Sequence, residues 1–223
     1  GNYLFASLAA GTYSVCQPVQ PAGTTNGITT AGTIIGINGS TGTAGSATNP
    51  TPTTSQITGI VLNGNGGSGE ISGSVNNNFA EVVPSSITGL VFLDQNNDGL
   101  FNGTDSGIAG VPVELLDAGG TVVATTVTAA DGSYRFDNLQ PGTYSVREPN
   151  QPAGTSNGIT TAGAVPNGGT AGTATTPAVL PSRISNIVLP PNTVAGGNNF
   201  AEISNGRTLS GSIFLDFNNN GLI

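Results

Sequence analysis

Histidine, lysine, tryptophan and methionine are all missing from these 223 residues. Without histidine or lysine, general acid–base catalysis would fall to a few carboxylates and tyrosines, so the composition argues against an enzyme. The four positive charges are all arginine, set against twelve acids, for a net charge of −8. Nothing supplies the basic footprint that phosphate binding needs, which excludes a nucleic-acid role. No apolar run approaches the length of a membrane span, and no signal peptide or anchor is visible. Charged residues amount to 7% and aromatics to 5%, while apolar residues reach 36%, short of the usual globular share but above that of disordered chains. With 35 glycines, the balance fits many short strands joined by polar connections.

A single cysteine, Cys16, excludes an internal disulfide framework and any cysteine-based zinc site. In Tyr13-Ser-Val-Cys16, strand alternation points Tyr13 and Val15 to one face and Cys16 to the other. With the aromatic face buried, the thiol is exposed and available for a disulfide to a neighbouring chain. A free thiol without a role is the competing reading.

The most specific signal is a twelve-residue run from Asp94 to Asp105, reading DQNNDGLFNGTD. It carries acid or amide oxygens at its first, third and fifth places, glycine at the sixth and a carboxylate at the twelfth, the oxygen-ligand spacing of a calcium loop. Asp94, Asn96 and Asp98 offer side-chain oxygens, Leu100 its carbonyl, and Asp105 closes the shell. Aspartate at the twelfth place is one methylene shorter than the usual glutamate, which weakens bidentate closure. The flanks, Ile87–Leu93 and Ile108–Leu116, are short, β-branched and bounded by glycine, so the loop joins strands rather than the helices of an EF-hand. Asn-Asp-Gly is also strong turn chemistry, so a plain polar turn is the alternative. A second copy, Asp216, Asn218 and Asn220, favours the metal.

That second copy belongs to a repeat. Tyr3–Val15 returns as Tyr134–Val146, an offset of 131 residues (134 − 3), and Gln20–Gly32 returns as Gln151–Gly163. Asn77-Asn-Phe-Ala-Glu-Val82 returns as Asn198-Asn-Phe-Ala-Glu-Ile203, by then at an offset of 121 (198 − 77). The length differences fall in the glycine- and threonine-rich connections. Ile87–Asp94 returns as Leu209–Asp216. A period this long means successive beads rather than a solenoid. The chain reads as the back of one module over 1–82, a whole module over 83–204, and the opening strand and half loop of a third over 205–223.

Seven strands are expected in the whole module, near Ile87–Leu93, Val111–Leu116, Val122–Thr128, Tyr134–Phe136, Thr143–Arg147, Ile184–Leu189 and Asn198–Ile203. Gly119-Gly120, Asp131-Gly132 and Pro141-Gly142 punctuate them as turns. So many strands in this length indicate an all-β, two-sheet Ig-like sandwich, with Tyr134, Phe136, Tyr144 and Phe200 filling its core. Thr155 to Pro181, poor in bulky residues, is expected to be an irregular excursion. Asn102-Gly-Thr104 and Asn38-Gly-Ser40 fit the glycosylation sequon, though such sequences are more often simple turns.

Five ordered motifs carry a resemblance: Asp94-x-Asn-x-Asp-Gly99, Gly107–Leu115, Asp131–Phe136, Leu139–Val146 and Asn198–Glu202. Together they resemble the SdrD B-like repeats of bacterial surface proteins, related to the Cna B-type, prealbumin-like modules. The resemblance implies a β-sandwich, Ca²⁺ held at one end of each module, and a place in the stalk of a secreted or surface-attached protein. Many B-type relatives carry a lysine–asparagine isopeptide bond promoted by a nearby acid. With no lysine that bond cannot form here, and Glu148, the acid by position, is read as structural. The equivalent residue in the first copy is Gln17.

The expected function is therefore a structural, calcium-stabilised module of an extracellular fibre, its partners being neighbouring modules or copies of itself. An adhesin module binding a surface ligand is one alternative; it calls for an exposed aromatic or charged patch, which the sequence does not show. A filament subunit assembled by strand addition between chains is the other.

Overall fold

The computed structural model describes residues 1–36, 42–48, 54–63, 72–175, 181–206, 211, 215 and 217. These are strands, turns and loops, with no helix among them. The first strands are β1 (Gly11–Gln17), β2 (Thr25–Thr30), β3 (Thr33–Gly36), β4 (Gly42–Thr43), β5 (Ser46–Thr48), β6 (Ser55–Leu62), β7 (Ser72–Val75) and β8 (Asn78–Val82). The central part of the chain supplies β9 (Ser85–Leu93), β10 (Ser106–Gly107), β11 (Pro112–Leu116), β12 (Val122–Val127), β13 (Ser133–Leu139) and β14 (Gly142–Glu148). It continues with β15 (Thr155–Thr161), β16 (Thr173–Ala174), β17 (Ser182–Leu189), β18 (Val194–Ala195) and β19 (Asn199–Ser204).

The central strands form a sandwich. One sheet runs β10-β9-β19-β15, with β13 and β18 also paired to β9; the facing sheet runs β12-β11-β14-β17-β16. Alternation along these strands sends Ile87 and Val91, Val113 and Leu115, Val146, Ile184, Ile187 and Phe200 into the space between the sheets, all fully buried. Each such side chain contributes about 1.5–3 kcal/mol by leaving water. Tyr134 stacks on Phe200 at 6.2 Å and meets Phe136 edge-on at 6.0 Å, while Tyr144 is half-buried against the same core.

β9 is the organising strand, and its parallel neighbours come from the far end of the module. Val194 and Ala195 lie beside Ser86 and Ile87, and Phe200, Ala201 and Glu202 beside Val91, Phe92 and Leu93. Between the two stretches the Asn198-Asn199 pair bridges the ladder. The Asn198 backbone N–H donates to the Thr88 carbonyl at 3.1 Å, and the Leu90 N–H donates to Asn199 Oδ1 at 3.0 Å. The Asn198 carbonyl comes so near Gly89 that a Cβ there would lie 1.7 Å from its oxygen, so only glycine fits.

The expected strands are present: four are longer by two to four residues, β11 and β12 are each one residue shorter, and β19 is shifted by one. The excursion expected from Thr155 is a correction: its first seven residues are β15, antiparallel to β19, with Ser156 opposite Ile203 and Thr160 opposite Phe200. The strand is threonine-rich and buries small residues, so it lacks the bulky alternation that marks the others.

The earlier strands repeat this pattern residue for residue. Gly11 lies opposite Leu62 and Tyr13 opposite Ile60, as Gly142 lies opposite Leu189 and Tyr144 opposite Ile187, with the same register shift after the tyrosine. Asn26 opposes Glu81 as Asn157 opposes Glu202. The Tyr3 hydroxyl donates to the Asn77 carbonyl as Tyr134 does to Asn198 at 2.6 Å.

Candidate metal centre

Asp94 directly follows β9 and is buried, while Asn96, Asp98, Leu100 and Phe101 are exposed and Asp105 is half-buried. The Asp94 backbone N–H continues the β9–β19 ladder onto the Glu202 carbonyl at 2.7 Å, which anchors the loop to the sandwich. Its carboxylate then organises the turn. Oδ1 accepts the N–H groups of Asn97 and Asp98, and Oδ2 accepts the buried N–H of Gly99 at 2.7 Å. Gly99 has a φ of +75°, and a Cβ there would press to 2.8 Å from Ile159 on β15. The strand absent from the sequence reading is thus the floor of the loop, and Thr161 adds a hydroxyl bond to the Gly99 carbonyl at 3.3 Å.

The other carboxylates are wrapped in the same way. Asp98 accepts the Leu100 N–H at 2.8 Å and the side-chain amides of Asn96 at 2.8 Å and Asn102 at 3.0 Å. The Asn102 amide, with the Leu100 and Asn96 bonds, holds the Asp98 carboxyl below the usual aspartate range. Asp105 closes the loop by accepting the N–H groups of Gln95 and Asn102, each at 2.9 Å. Phe101 folds back edge-on to Phe92 at 5.4 Å.

The donor chemistry of this loop fits a hard cation, since every expected ligand is an oxygen and three are carboxylates. The geometry fits less closely. Among the described residues no three acids converge into a metal-holding group, and the Asn96 and Asn102 amide hydrogens occupy Asp98 Oδ2. A cation held by Asp94, Asn96, Asp98, the Leu100 carbonyl and Asp105 would have to turn those amides away.

Asp216, Asn218 and Asn220 lie outside the described residues, as does Asn38, while Asn102 is exposed within the loop. Cys16 is an exposed free thiol on the outer face of β1, with Tyr13 and Val15 packed on the inner one.

A second polar cluster, which the sequence reading did not find, lies inside the sandwich. Glu148 on β14 and Glu202 on β19 face each other across the core, 2% and 0% exposed. Gln151 and Thr155 both donate to Glu202 Oε2, but Glu202 Oε1 and both oxygens of Glu148 have no hydrogen-bond partner. Burial, and then the Glu202 charge, push the Glu148 carboxyl up to about 9. The signal for this pair was in the sequence, as acids on alternating strands where apolar residues belong.

Residues 85–185 match the model of the SdrD B-like domain. Over 146 residues, 66% of the chain, the sequence is 34% identical to serine-aspartate repeat-containing protein C of Staphylococcus aureus strain N315. It is 35% identical over the same length to the like-named protein of strain Newman. The match spans 13% of the length of each of these relatives. Among solved structures, the group B streptococcus pilus 2b backbone protein is similar at a TM-score of 0.37 and 14% identity, covering 87% of each chain. BcpA, the major pilin subunit of Bacillus cereus, gives the same TM-score and identity over 87% of this chain and 60% of that one.

Proposed function

We propose that this chain, whose residues 85–185 form an SdrD B-like domain, is a stretch of a structural stalk or fibre outside a bacterial cell, its modules stiffened by calcium. Its divisions are those of the repeat, at 1–82, 83–204 and 205–223, and its partners are adjoining modules or further copies of the chain. The supporting observation is the strand register shared by β1–β8 and the central sandwich: the scaffold recurs while the connections vary in length. A spacer needs repetition of the frame, whereas an enzyme or a receptor needs repetition of a cleft.

Surface charge agrees with a spacer. Arg135 pairs with Asp137 on one sheet and Arg147 with Glu114 on the other, both at 2.5 Å, so these two arginines are neutralised within the chain rather than held for a ligand.

Calcium would act on the Asp94–Asp105 loop, where it neutralises three carboxylates at the junction of β9 and β10. The need to displace two amides lowers affinity, in keeping with extracellular sites that bind at roughly 10⁻⁴ to 10⁻³ M. At ten times the dissociation constant, linkage contributes about 1.4 kcal/mol per site, modest for one module and cumulative along an array. Calcium titration with thermal unfolding tests this reading. A melting temperature that rises with calcium and falls with chelator supports it. Indifference to both reduces the loop to a turn.

A further inference from the structure

Glu148 and Glu202 are two carboxyls, each more than nine-tenths buried, within hydrogen-bond reach of each other and with three oxygens lacking any donor. Two carboxylates in that position would repel each other in a medium too apolar to screen them. A single proton resolves the conflict. It turns one Glu148 oxygen into a donor aimed at the unpartnered Glu202 Oε1. Burial raises the Glu202 carboxyl as well, but Gln151 and Thr155 donate to its other oxygen and so favour leaving the remaining charge there.

The first unit supplies an internal control. There the clasp is the same: Gln20 donates to both Thr24 Oγ1 and Glu81 Oε2, as Gln151 does to Thr155 and Glu202. The residue at the Glu148 position, however, is Gln17, whose amide N–H donates to the Val19 carbonyl at 3.4 Å and whose buried oxygen is unpartnered, as is Glu81 Oε1. Glutamine has the shape of a protonated glutamic acid and carries its donor at every pH. A half-turn of its terminal amide exchanges oxygen for N–H.

We propose that the Glu148–Glu202 pair binds one proton as a structural component of the central sandwich, making that module sensitive to alkali, and that Gln17 provides the same donor permanently in the first unit. The titratable groups facing Glu148 are Glu202 from β19 and Tyr134 from β13. Burial, and then the Glu148 charge, push Tyr134 upward, so it stays neutral throughout and donates to the Asn198 carbonyl. Arg147 alternates to the opposite face of β14, where it pairs with Glu114. The sign follows from a folded carboxyl titrating above the unfolded one. The pair's contribution is complete below the ordinary glutamate value of 4.5 and is lost as pH rises towards about 9. Through that window the folded-to-unfolded ratio falls about tenfold per pH unit.

The test is thermal unfolding of the full chain from about pH 5 to about pH 9, in chelator throughout so that the loop contributes nothing, for the wild type, Glu148→Gln and Gln17→Glu. The wild type should lose stability towards alkali, Glu148→Gln should not, and Gln17→Glu should lose more than the wild type as its first unit gains the sensitivity. Infrared spectroscopy at neutral pH should show the carbonyl band of a buried protonated acid, absent from Glu148→Gln. That band decides the matter even if the variant folds poorly. Alkaline loss that persists unchanged in Glu148→Gln, or a wild type without the acid band, overturns the proposal.

Discussion

Replacing Asp94 with alanine should destabilise the central sandwich with or without calcium, for reasons that can be weighed bond by bond. The carboxylate accepts three backbone N–H groups, and hydrogen bonds to a charged acceptor contribute about 1.5–3 kcal/mol each when both partners stay dry. Asn97 and Asp98 are exposed, so water replaces most of what their amides lose. The Gly99 amide is buried under Ile159 and stays unpaired, at a cost of about 1–3 kcal/mol. The total is about 2–4 kcal/mol. For a module of roughly 120 residues, at about 4 °C per kcal/mol, the melting temperature drops by roughly 8–16 °C. The assay is thermal unfolding in excess chelator and again in millimolar calcium. The loss in chelator measures the turn, and any additional loss in calcium measures the metal. A variant within about 0.5 kcal/mol of the wild type in chelator would refute the reasoning, because the Asp94 bonds would then contribute nothing on their own.

Asp98→Asn should behave in the opposite way, since Asp98 is exposed. Its melting temperature in chelator should match the wild type while the calcium-induced rise disappears, as read by the same titration. Tyr134→Phe leaves the buried Asn198 carbonyl without its 2.6 Å hydroxyl and should cost about 1–2 kcal/mol in denaturant unfolding. The matching change at Tyr144, whose hydroxyl bonds the exposed Gln140 carbonyl, should cost less. Gly89→Ala forces a methyl group to within 1.7 Å of the Asn198 oxygen and should cost about 3 kcal/mol or more by the same measurement. Gly154→Ala, where a Cβ meets open space and only the φ of +80° resists, should cost about 1 kcal/mol.

Ile87–Leu93 and Ile184–Leu189 were legible as strands because each is a short run rich in β-branched and apolar residues, a signal confined to a few neighbours in sequence. β15 was not. Ser156-Asn-Gly-Ile-Thr-Thr161 has no bulky alternation, and it becomes a strand through β19, which follows some 38 residues (199 − 161) further on. Its recurrence as Thr25–Thr30, which becomes β2, was the available clue. The Asp94–Asp105 spacing was legible as an oxygen-rich loop because ligand spacing is local. How the amides of Asn96 and Asn102 point is a matter of side-chain geometry that spacing does not determine. Position alone marks Glu148 in the sequence, and without lysine it has no cross-link to promote. Its meaning depends on Glu202, a partner 54 positions away (202 − 148) brought opposite only by the closing of two sheets.

The parallel pairing of β9 with β18 and β19 has a consequence for a chain under tension. Because the first and last strands of the module run in the same direction, the polypeptide enters near Ser85 at one end and leaves near Ser204 at the other. A pull along the chain is therefore directed along the strands and across their hydrogen bonds. From the Ser86–Val194 pair to the Asp94–Glu202 bond the ladder is loaded in shear, so its bonds must yield together rather than unzip in turn. Asn198 and Asn199, which fill the gap in that ladder, and Asp94, which pins its end, are the places where such a module would hold or give way.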